Sequence, residues 1–417
     1  MKKYLTKVLL LSLTLVFCIA ASNANMNVTK DLPLLDDRGG NWVLKNAKEF
    51  DLKWSIQDDS PYQKFELDKG PNGLVYVQSF NHLSAIDSST GETVWKKSSE
   101  WKGSNQNEVG LDGSVYKFDY GNSKKINSKT IQLNITRYSS EGVVTTFKNI
   151  KASSPNGVQW SHYSQTIHAA NSNGDFTILT DKGLLSLKPN GSKKWLLSSL
   201  NTVKGKLNLM DLKDIYADNK GNIVIKFEKE LASINADGKV NWVRPYKLNN
   251  NKGVYSITQN GYFLEVIHEV NSQAYTPKLY SITSKGLIAV KDVSVINKEL
   301  NNSDKNGGLY QLEDNTNELT NLDYFKGNAK WVYGLTKSEK QGGHELYNGS
   351  LTTDSQGNAY FGSNVGTVYS LDNKGKPRFT IKMRNGIIAF PDIVAISDKL
   401  IVVTVNNQIA CIEKIGK

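Results

Sequence analysis

The sequence predicts an all-β chain assembled from repeated four-stranded units. Three observations carry that expectation. Short alternating apolar and polar runs, separated by Gly/Asn/Asp turns, follow one another along most of the chain. A glycine stands four residues before an aromatic residue in several places, and these pairs recur with a repeating preamble. The composition agrees: 39% hydrophobic, 22% charged, 10% aromatic and 33 Gly describe strands and tight turns rather than a disordered chain.

The first segment stands outside the pattern. Lys2, Lys3 and Lys7 precede the apolar run "VLLLSLTLVFCIAA", and "SNA" ends at Ala24 with the small residues a signal peptidase accepts. Residues 1–24 are read as a cleaved signal peptide, and the run is short for a membrane anchor. Phe17 before Cys18 does not suit lipidation. Cleavage leaves one cysteine, Cys411, so the mature chain has no intramolecular disulfide. The net charge of +11 falls by three lysines to 11 − 3 = +8. Such a surplus suits anionic wall polymers, acidic glycans or lipid headgroups, but no Lys/Arg run exceeds two residues in the mature chain, which favours lysines spread over the surface for solubility. Residues 25–49 are assigned to an N-terminal extension and 50–417 to the repeat domain, secreted or associated with the cell surface.

The repeat runs turn, strand, strand, turn, strand. Its best copy spans "DKGPNGLVYV" (68–77) and "LSAIDSSTGETVWKKS" (83–98). Further copies lie at 172–195, 218–242 and 354–379. Gly91, Gly191, Gly238 and Gly375 each stand four residues before Trp95, Trp195, Trp242 and Phe379. Weaker copies run from Gly113 to Phe147, from Gly261 to Val290, and from Gly308 to Trp331, where Gly327 again precedes the Trp by four. The first two are stretched by insertions at 119–130 and 268–277. The chain end offers three strands, 392–397, 399–405 and 408–414, without a fourth, and "DLKWSI" (51–56) is a Trp strand without partners. Joining the strand of Trp54 to the C-terminal unit makes eight four-stranded antiparallel blades, a β-propeller closed into a ring with no exposed terminal blade.

The turn glycines permit positive φ, and the Trp rings present flat surfaces to pack between blades, with an indole N–H able to meet a carbonyl. Small residues such as Ala85 and Ala232 leave room for a neighbour's side chain. Cys411 takes the position of Ala85 when "QIACIEK" is laid on "HLSAIDS", which makes it a buried filler. Asp87, Thr90, Gly91 and Trp95 are expected to hold blades together.

"AIDSSTGETVW" (Ala85–Trp95) resembles the tryptophan-docking motif A-x-D-x-x-T-G-x-x-x-W of pyrroloquinoline-quinone-like propellers. The match is complete in this copy and reduced to Gly-x-x-x-aromatic in others, and the resemblance covers roughly residues 50–417. It implies the architecture but not one activity, because that family contains quinone- and calcium-dependent dehydrogenases as well as binding propellers with neither. The dehydrogenases carry a vicinal disulfide that this chain cannot form, and no Glu/Asn/Asp set suits their calcium. The resemblance therefore implies the non-enzymatic, exported branch, with neither quinone nor calcium.

Motifs for chemistry are absent: no CxxC, HExxH, EF-hand loop or G-x-S-x-G occurs. The doublets Asp36–Asp37 and Asp58–Asp59 are neighbours in the chain, and adjacent strand residues point apart. In a propeller, the links between blades share one face with the loops joining second to third strands. Both insertions, the long link 148–170 and "GGHELYNGS" (342–350) belong to that face. Its candidate ligand-contacting residues are Trp101, Trp160, His162, Tyr163, His168, Tyr275, His344 and Tyr347, aromatics suited to stacking on a sugar or peptide, or to covering the rim of the core. The expected function is binding of an exported protein, a peptide or an anionic wall glycan by a monomeric scaffold. Nucleic acid and a membrane span are not expected. The alternative is a propeller enzyme, either glycan-cleaving or a diverged quinoprotein dehydrogenase.

Overall fold

The computed structural model describes residues 42–45, 48–57, 66–79, 82–98, 106–154, 166–202, 205–218, 220–245, 253–257, 263–271, 274–282, 285–286, 288–292, 302–303, 308–313, 317–323, 328–383, 391–405 and 408–415. Strands dominate, and every pairing quoted below is antiparallel. The chain divides into two compact units, one comprising residues 1–57, 310–322 and 329–417, the other 58–309 and 323–328.

In the second unit the copy at 68–98 forms a four-stranded sheet, Glu66–Lys69, Leu74–Gln78, His82–Asp87 and Thr93–Ser98, hydrogen-bonded in chain order. The next set, Gln106–Val109, Val115–Phe118, Thr130–Tyr138 and Val144–Ser153, repeats that order. It is joined to the following set, His168–Ala170, Phe176–Thr180, Gly183–Leu187 and Lys193–Leu197, by the single pair Ala152 and Thr180, so the two share one nine-stranded sheet. A hairpin, Leu200–Thr202 with Gly205–Leu207, precedes the set Asp214–Ala217, Ile223–Lys226, Glu230–Ile234 and Val240–Pro245. The set Gly253–Ile257, Phe263–Asn271, Ala274–Ile282 and Ile288–Asp292 follows.

The junctions between successive sets reuse one device. Fourth-strand aromatics of this unit lie against the glycine of the next set's last turn. A Cβ on Gly142 would stand 2.8 Å from Trp95 Cγ, one on Gly238 2.9 Å from Trp195 Cγ, and one on Gly286 2.9 Å from Trp242 Cδ2. Trp95 Nε1 donates to the Ser140 carbonyl at 2.8 Å and Trp195 Nε1 to that of Ala236 at 3.0 Å. Here glycine is required twice over, because the turn has positive φ (77° at Gly142) and the ring leaves no space for a side chain. A second stitch uses tyrosines of second strands. The hydroxyl of Tyr76 donates to the Gly113 carbonyl, and that of Tyr116 to the Gly174 carbonyl at 3.3 Å.

Among the described residues, the side-chain bonds of Asp87 and Thr90 lie within their own turn. Asp87 accepts from the Ser89 backbone N–H at 2.7 Å and from the Ser89 hydroxyl at 2.6 Å, and Thr90 Oγ1 accepts from the Glu92 N–H at 3.2 Å. The Ser89 hydroxyl and N–H hold the Asp87 carboxyl below its ordinary range. These two residues shape their own turn, Gly91 supplies its positive φ of 79°, and Trp95 reaches a neighbouring set through the Ser140 carbonyl.

Ala85 lies directly opposite Trp95, as a small partner should. Ala232 does not play that part. The turn after Glu230–Ile234 is one residue shorter, so Trp242 faces Ser233, whose hydroxyl accepts from Asn241 Nδ2 at 3.1 Å. Trp195 likewise faces Ser186 and Phe379 faces Ser370.

Gly308–Glu313, Glu318–Asp323 and Asn328–Gly334, most of whose residues fall in the first unit, belong to one sheet. A Cβ on Gly375 would stand 2.7 Å from Trp331 Cγ, so the same device recurs; Gly327 lies outside the described residues. Leu346–Thr353, Ala359–Ser363, Val368–Leu371 and Pro377–Met383 form a sheet with a fifth strand, Trp42–Lys45, on its outer edge. Asp392–Ala395, Leu400–Val405 and Gln408–Lys414 take Phe50–Gln57 as their fourth strand. Trp54 there lies opposite Cys411, as Trp95 lies opposite Ala85. The Cys411 side chain is fully buried, and burial pushes its thiol pKa up, away from nucleophile chemistry.

The strand 42–45 falls inside the segment assigned from sequence to an N-terminal extension. Trp42 and Leu44 are buried with Phe50, Leu52, Phe379, Ile381 and Ile412, so residues 42–57 clasp two successive sheets. Trp42 Nε1 donates to Ser55 Oγ at 3.1 Å, tying the two strands of the clasp together.

Candidate functional site

Both insertions are prolonged hairpins between second and third strands. In the first, Val115–Phe118 ends in a 3-10 turn, Tyr120–Asn122, capped by Asp119, whose side chain accepts from the Asn122 N–H at 3.3 Å. The chain then resumes as Lys124–Asn127, paired with the start of Thr130–Tyr138. In the second, the ladder of Phe263–Asn271 with Ala274–Ile282 continues out to Asn271 and Ala274, with Tyr275 opposite Val270.

Of the residues singled out from the sequence, Trp101, Trp160, His162 and Tyr163 lie outside the described residues. His168 begins a first strand, and its ring is nearly enclosed. Nε2 lies 2.6 Å from Glu108 Oε2 and Nδ1 lies 3.0 Å from Thr166 Oγ1. The ring packs on Phe118 and Phe176, with centroids 4.2 and 5.6 Å away. The Tyr120 hydroxyl extends the chain to Thr166 Oγ1 at 2.9 Å. The imidazole is therefore held by partners on every side and offers little surface for stacking a ligand. His344 follows the short helix Lys337–Gln341, which Thr336 and Glu339 close with a reciprocal capping box. Its Nδ1 lies 3.1 Å from the Tyr369 hydroxyl, and burial lowers its pKa despite the opposing charge of Glu339. Tyr347, two strand positions into Leu346–Thr353, is exposed. His344 and Tyr347 belong to the first unit and His168 to the second.

Acidic residues that sequence reasoning passed over accompany His168. Glu66 and Asp68 lie two apart on the first strand of one set, and Glu108 on the first strand of the next. Solvent reaches Asp68, yet surrounding protein desolvates its carboxyl, and the charges of Glu66 and Glu108 add to the effect, lifting its pKa to about 6. No spacing motif signals this convergence, because the acids come from strands about 40 residues apart in a chain where blades are built of such strands. Among the described residues, no group of three or more His, Cys, Asp or Glu is arranged to hold a metal ion, and no helix is long and apolar enough to cross a membrane.

The Asp68 environment has a sign that can be tested. Its carboxyl titrates near 3.8 when unperturbed and at about 6 in the fold. Between those values the folded state binds the proton more tightly than the unfolded one. Stability linked to this group is fully present below 3.8 and is lost as pH rises through 6. Asp68→Asn is therefore expected to raise the melting temperature at pH 7.5 and to change little at pH 3.5. Solvent access reduces the full linkage to about 1 kcal/mol. Equal melting shifts at both pH values would contradict this account.

No protein-family model matches the chain, and no curated protein matches its sequence. Among solved structures, the chain is similar to the C-terminal WD40 domain of Sif2 at 9% identity and a TM-score of 0.52, over 89% of this chain and 99% of that one. At that identity the likeness concerns the fold, and together with the repeated four-stranded antiparallel sheets it makes this chain a β-propeller.

Proposed function

We propose that this protein is an exported, monomeric, non-catalytic binding module. Its fold is read as an eight-bladed propeller of the pyrroloquinoline-quinone-like type that uses neither quinone nor calcium. Pairing of Phe50–Gln57 with Gln408–Lys414 supports a closed ring, and the aromatic-on-glycine junctions support the docking-motif kinship. Residues 1–24 serve as the signal peptide in this reading. The partner is a protein, peptide or anionic glycan of the cell envelope. One observation carries the binding role: both insertions prolong the hairpin between second and third strands in sets that already have four strands.

The test is capture from the producing cell's envelope by the full chain and by a chain lacking residues 124–129 and 270–275. The full chain is expected to retain a partner that the shortened chain loses. Equal capture by both sinks the reading. A second reading, a glycan-cleaving enzyme, draws on Asp68, whose raised pKa beside Glu66 and Glu108 is the property of a general acid. It requires turnover on a glycan panel that Asp68→Asn abolishes.

A further inference from the structure

The first strands of two successive sets, Gln106–Val109 and His168–Ala170, meet through a side-chain contact, His168 Nε2 to Glu108 Oε2 at 2.6 Å. The other ring nitrogen, Nδ1, lies 2.9 Å from the Thr166 carbonyl and 3.0 Å from the Thr166 hydroxyl. Each nitrogen therefore faces an oxygen that accepts: a carboxylate on one side and a carbonyl on the other. A neutral imidazole carries a single N–H. It would turn a lone pair either to Glu108 at 2.6 Å or to the Thr166 carbonyl at 2.9 Å. Phe118 and Phe176 enclose the ring, so it cannot turn away to water without breaking its packing. Both contacts are satisfied only when the pair holds one proton more than a neutral imidazole beside a carboxylate.

The described groups that face this pair are acids and hydroxyls. The first strand of the preceding set brings Glu66 and Asp68. Desolvation lifts the Asp68 carboxyl to about 6, and the charges of Glu66 and Glu108 add to that. Tyr116 lies opposite Glu108, but its hydroxyl donates to the Gly174 carbonyl. Tyr120 reaches the pair through Thr166 Oγ1 at 2.9 Å, and its neighbour Asp119 caps the turn. Asp214–Ala217, packed on His168–Ala170, brings Asp214, which accepts from the Tyr216 hydroxyl. Phe176–Thr180 brings no charged side chain. Lys69 follows Asp68 and Lys117 lies opposite Asn107, so alternation sets both lysines on the opposite strand faces. In acid, then, Asp68 is neutral and an imidazolium answers Glu108. In base, Glu66, Asp68 and Glu108 are all carboxylates beside a neutral ring. We propose that Glu108 and His168 form a pH-sensitive latch, which draws two neighbouring sets together in acid and slackens as pH rises. The shared proton closes it. Its removal leaves a Glu108 carboxylate that is 43% exposed and is solvated by water instead. The latch lies wholly within the unit that holds residues 58–309 and acts whatever the module binds.

The test uses the full chain labelled with nitrogen-15 histidine and follows the imidazole N–H signals by NMR between about pH 5.5 and about pH 9. His168→Gln identifies the His168 signals among the five histidines. In acid, His168 should carry a proton on each nitrogen, and its Nε2–H should exchange slowly enough to be seen as a downfield signal. That signal should disappear in base, and it should be missing from Glu108→Gln at either pH. A double-mutant cycle of Glu108→Gln and His168→Gln, read as melting temperature, reports the latch itself. In acid the double variant should lose about 2 °C less than the two single losses together, and in base that difference should fall to half or less. Additive losses in acid, the same coupling at both ends of the range, a singly protonated ring in acid, or an Nε2–H signal unchanged into base overturns the proposal. If either variant fails to fold, the spectra of the native chain decide it.

Discussion

Phe50→Ala is expected to lower stability to urea or heat by about 4 kcal/mol, the cost of emptying a buried aromatic site. Phe50 is 5% exposed, its ring centroid lies 4.7 Å from that of Phe379, and the Arg378 guanidinium sits 4.6 Å above it. That guanidinium also donates to the Tyr360 hydroxyl at 2.6 Å and to the Asp398 carbonyl at 3.1 Å, so losing the ring loosens a cation held by two sheets. The surrounding clasp offers no cheap compensation. Its exposed ion pairs, Lys53 with Glu413 and Lys414 with Glu49, contribute little in water. Its energy lies in Trp42, Leu44, Phe50 and Leu52, four side chains supplied by the N-terminal segment to sheets formed more than 300 residues later. Removal of residues 42–57 is expected to abolish cooperative unfolding of the sheets between Leu346 and Lys414, read by circular dichroism. A Phe50→Ala effect below about 1 kcal/mol would show that the clasp is ornamental.

Trp95→Ala should cost about as much, 3 to 5 kcal/mol. The ring is 8% exposed, packs with Tyr76 and Tyr138 at centroid distances of 5.8 and 6.2 Å, and donates to the Ser140 carbonyl. Gly142→Ala should also destabilise, for two separable reasons: its Cβ meets the indole, and φ of 77° strains any other residue. A double-mutant cycle isolates the first. In the Trp95→Ala background the added methyl has space, so Gly142→Ala should cost about 1 to 2 kcal/mol less than in the native chain, with the backbone strain remaining. Additive losses would mean that the glycine serves its turn alone.

The parts of this protein legible in one dimension are those governed by neighbours in the chain. Alternation, turn glycines and the spacing of Gly91 to Trp95 are local, and from them follow the strands, their order within each set and the placing of Cys411 opposite a tryptophan. Even the pairing of Phe50–Gln57 with the C-terminal strands follows from counting, since three strands at one end lacked a fourth. Legibility failed where a single residue of turn length mattered. Ala232 and Ser233 look equally suited to face Trp242, and only the closed turn after them selects the serine. It failed again for "WVLK" at 42–45, a run with no glycine or repeat partner, whose strand character exists only because the outer edge of Pro377–Met383 is there to receive it.

The functional surface divides along the same physical boundary. The insertion at 119–130 was visible as chain that fits no copy of the repeat. That it is a hairpin setting Lys124, Gln132 and Lys151 in one row depends on pairing across three strands, and register is a property of the sheet rather than of any one strand. His168 was visible as a histidine in a link, but its Glu108 partner sits 60 residues away on another set's first strand, and the contact turns an apparent ligand-stacking ring into a braced, enclosed one. Local chain chemistry thus set out the repeat, its strands and the places where it breaks. Non-local packing chose which side chains those breaks bring together, because a propeller's sheets acquire their shared surfaces only when strands distant in sequence lie side by side.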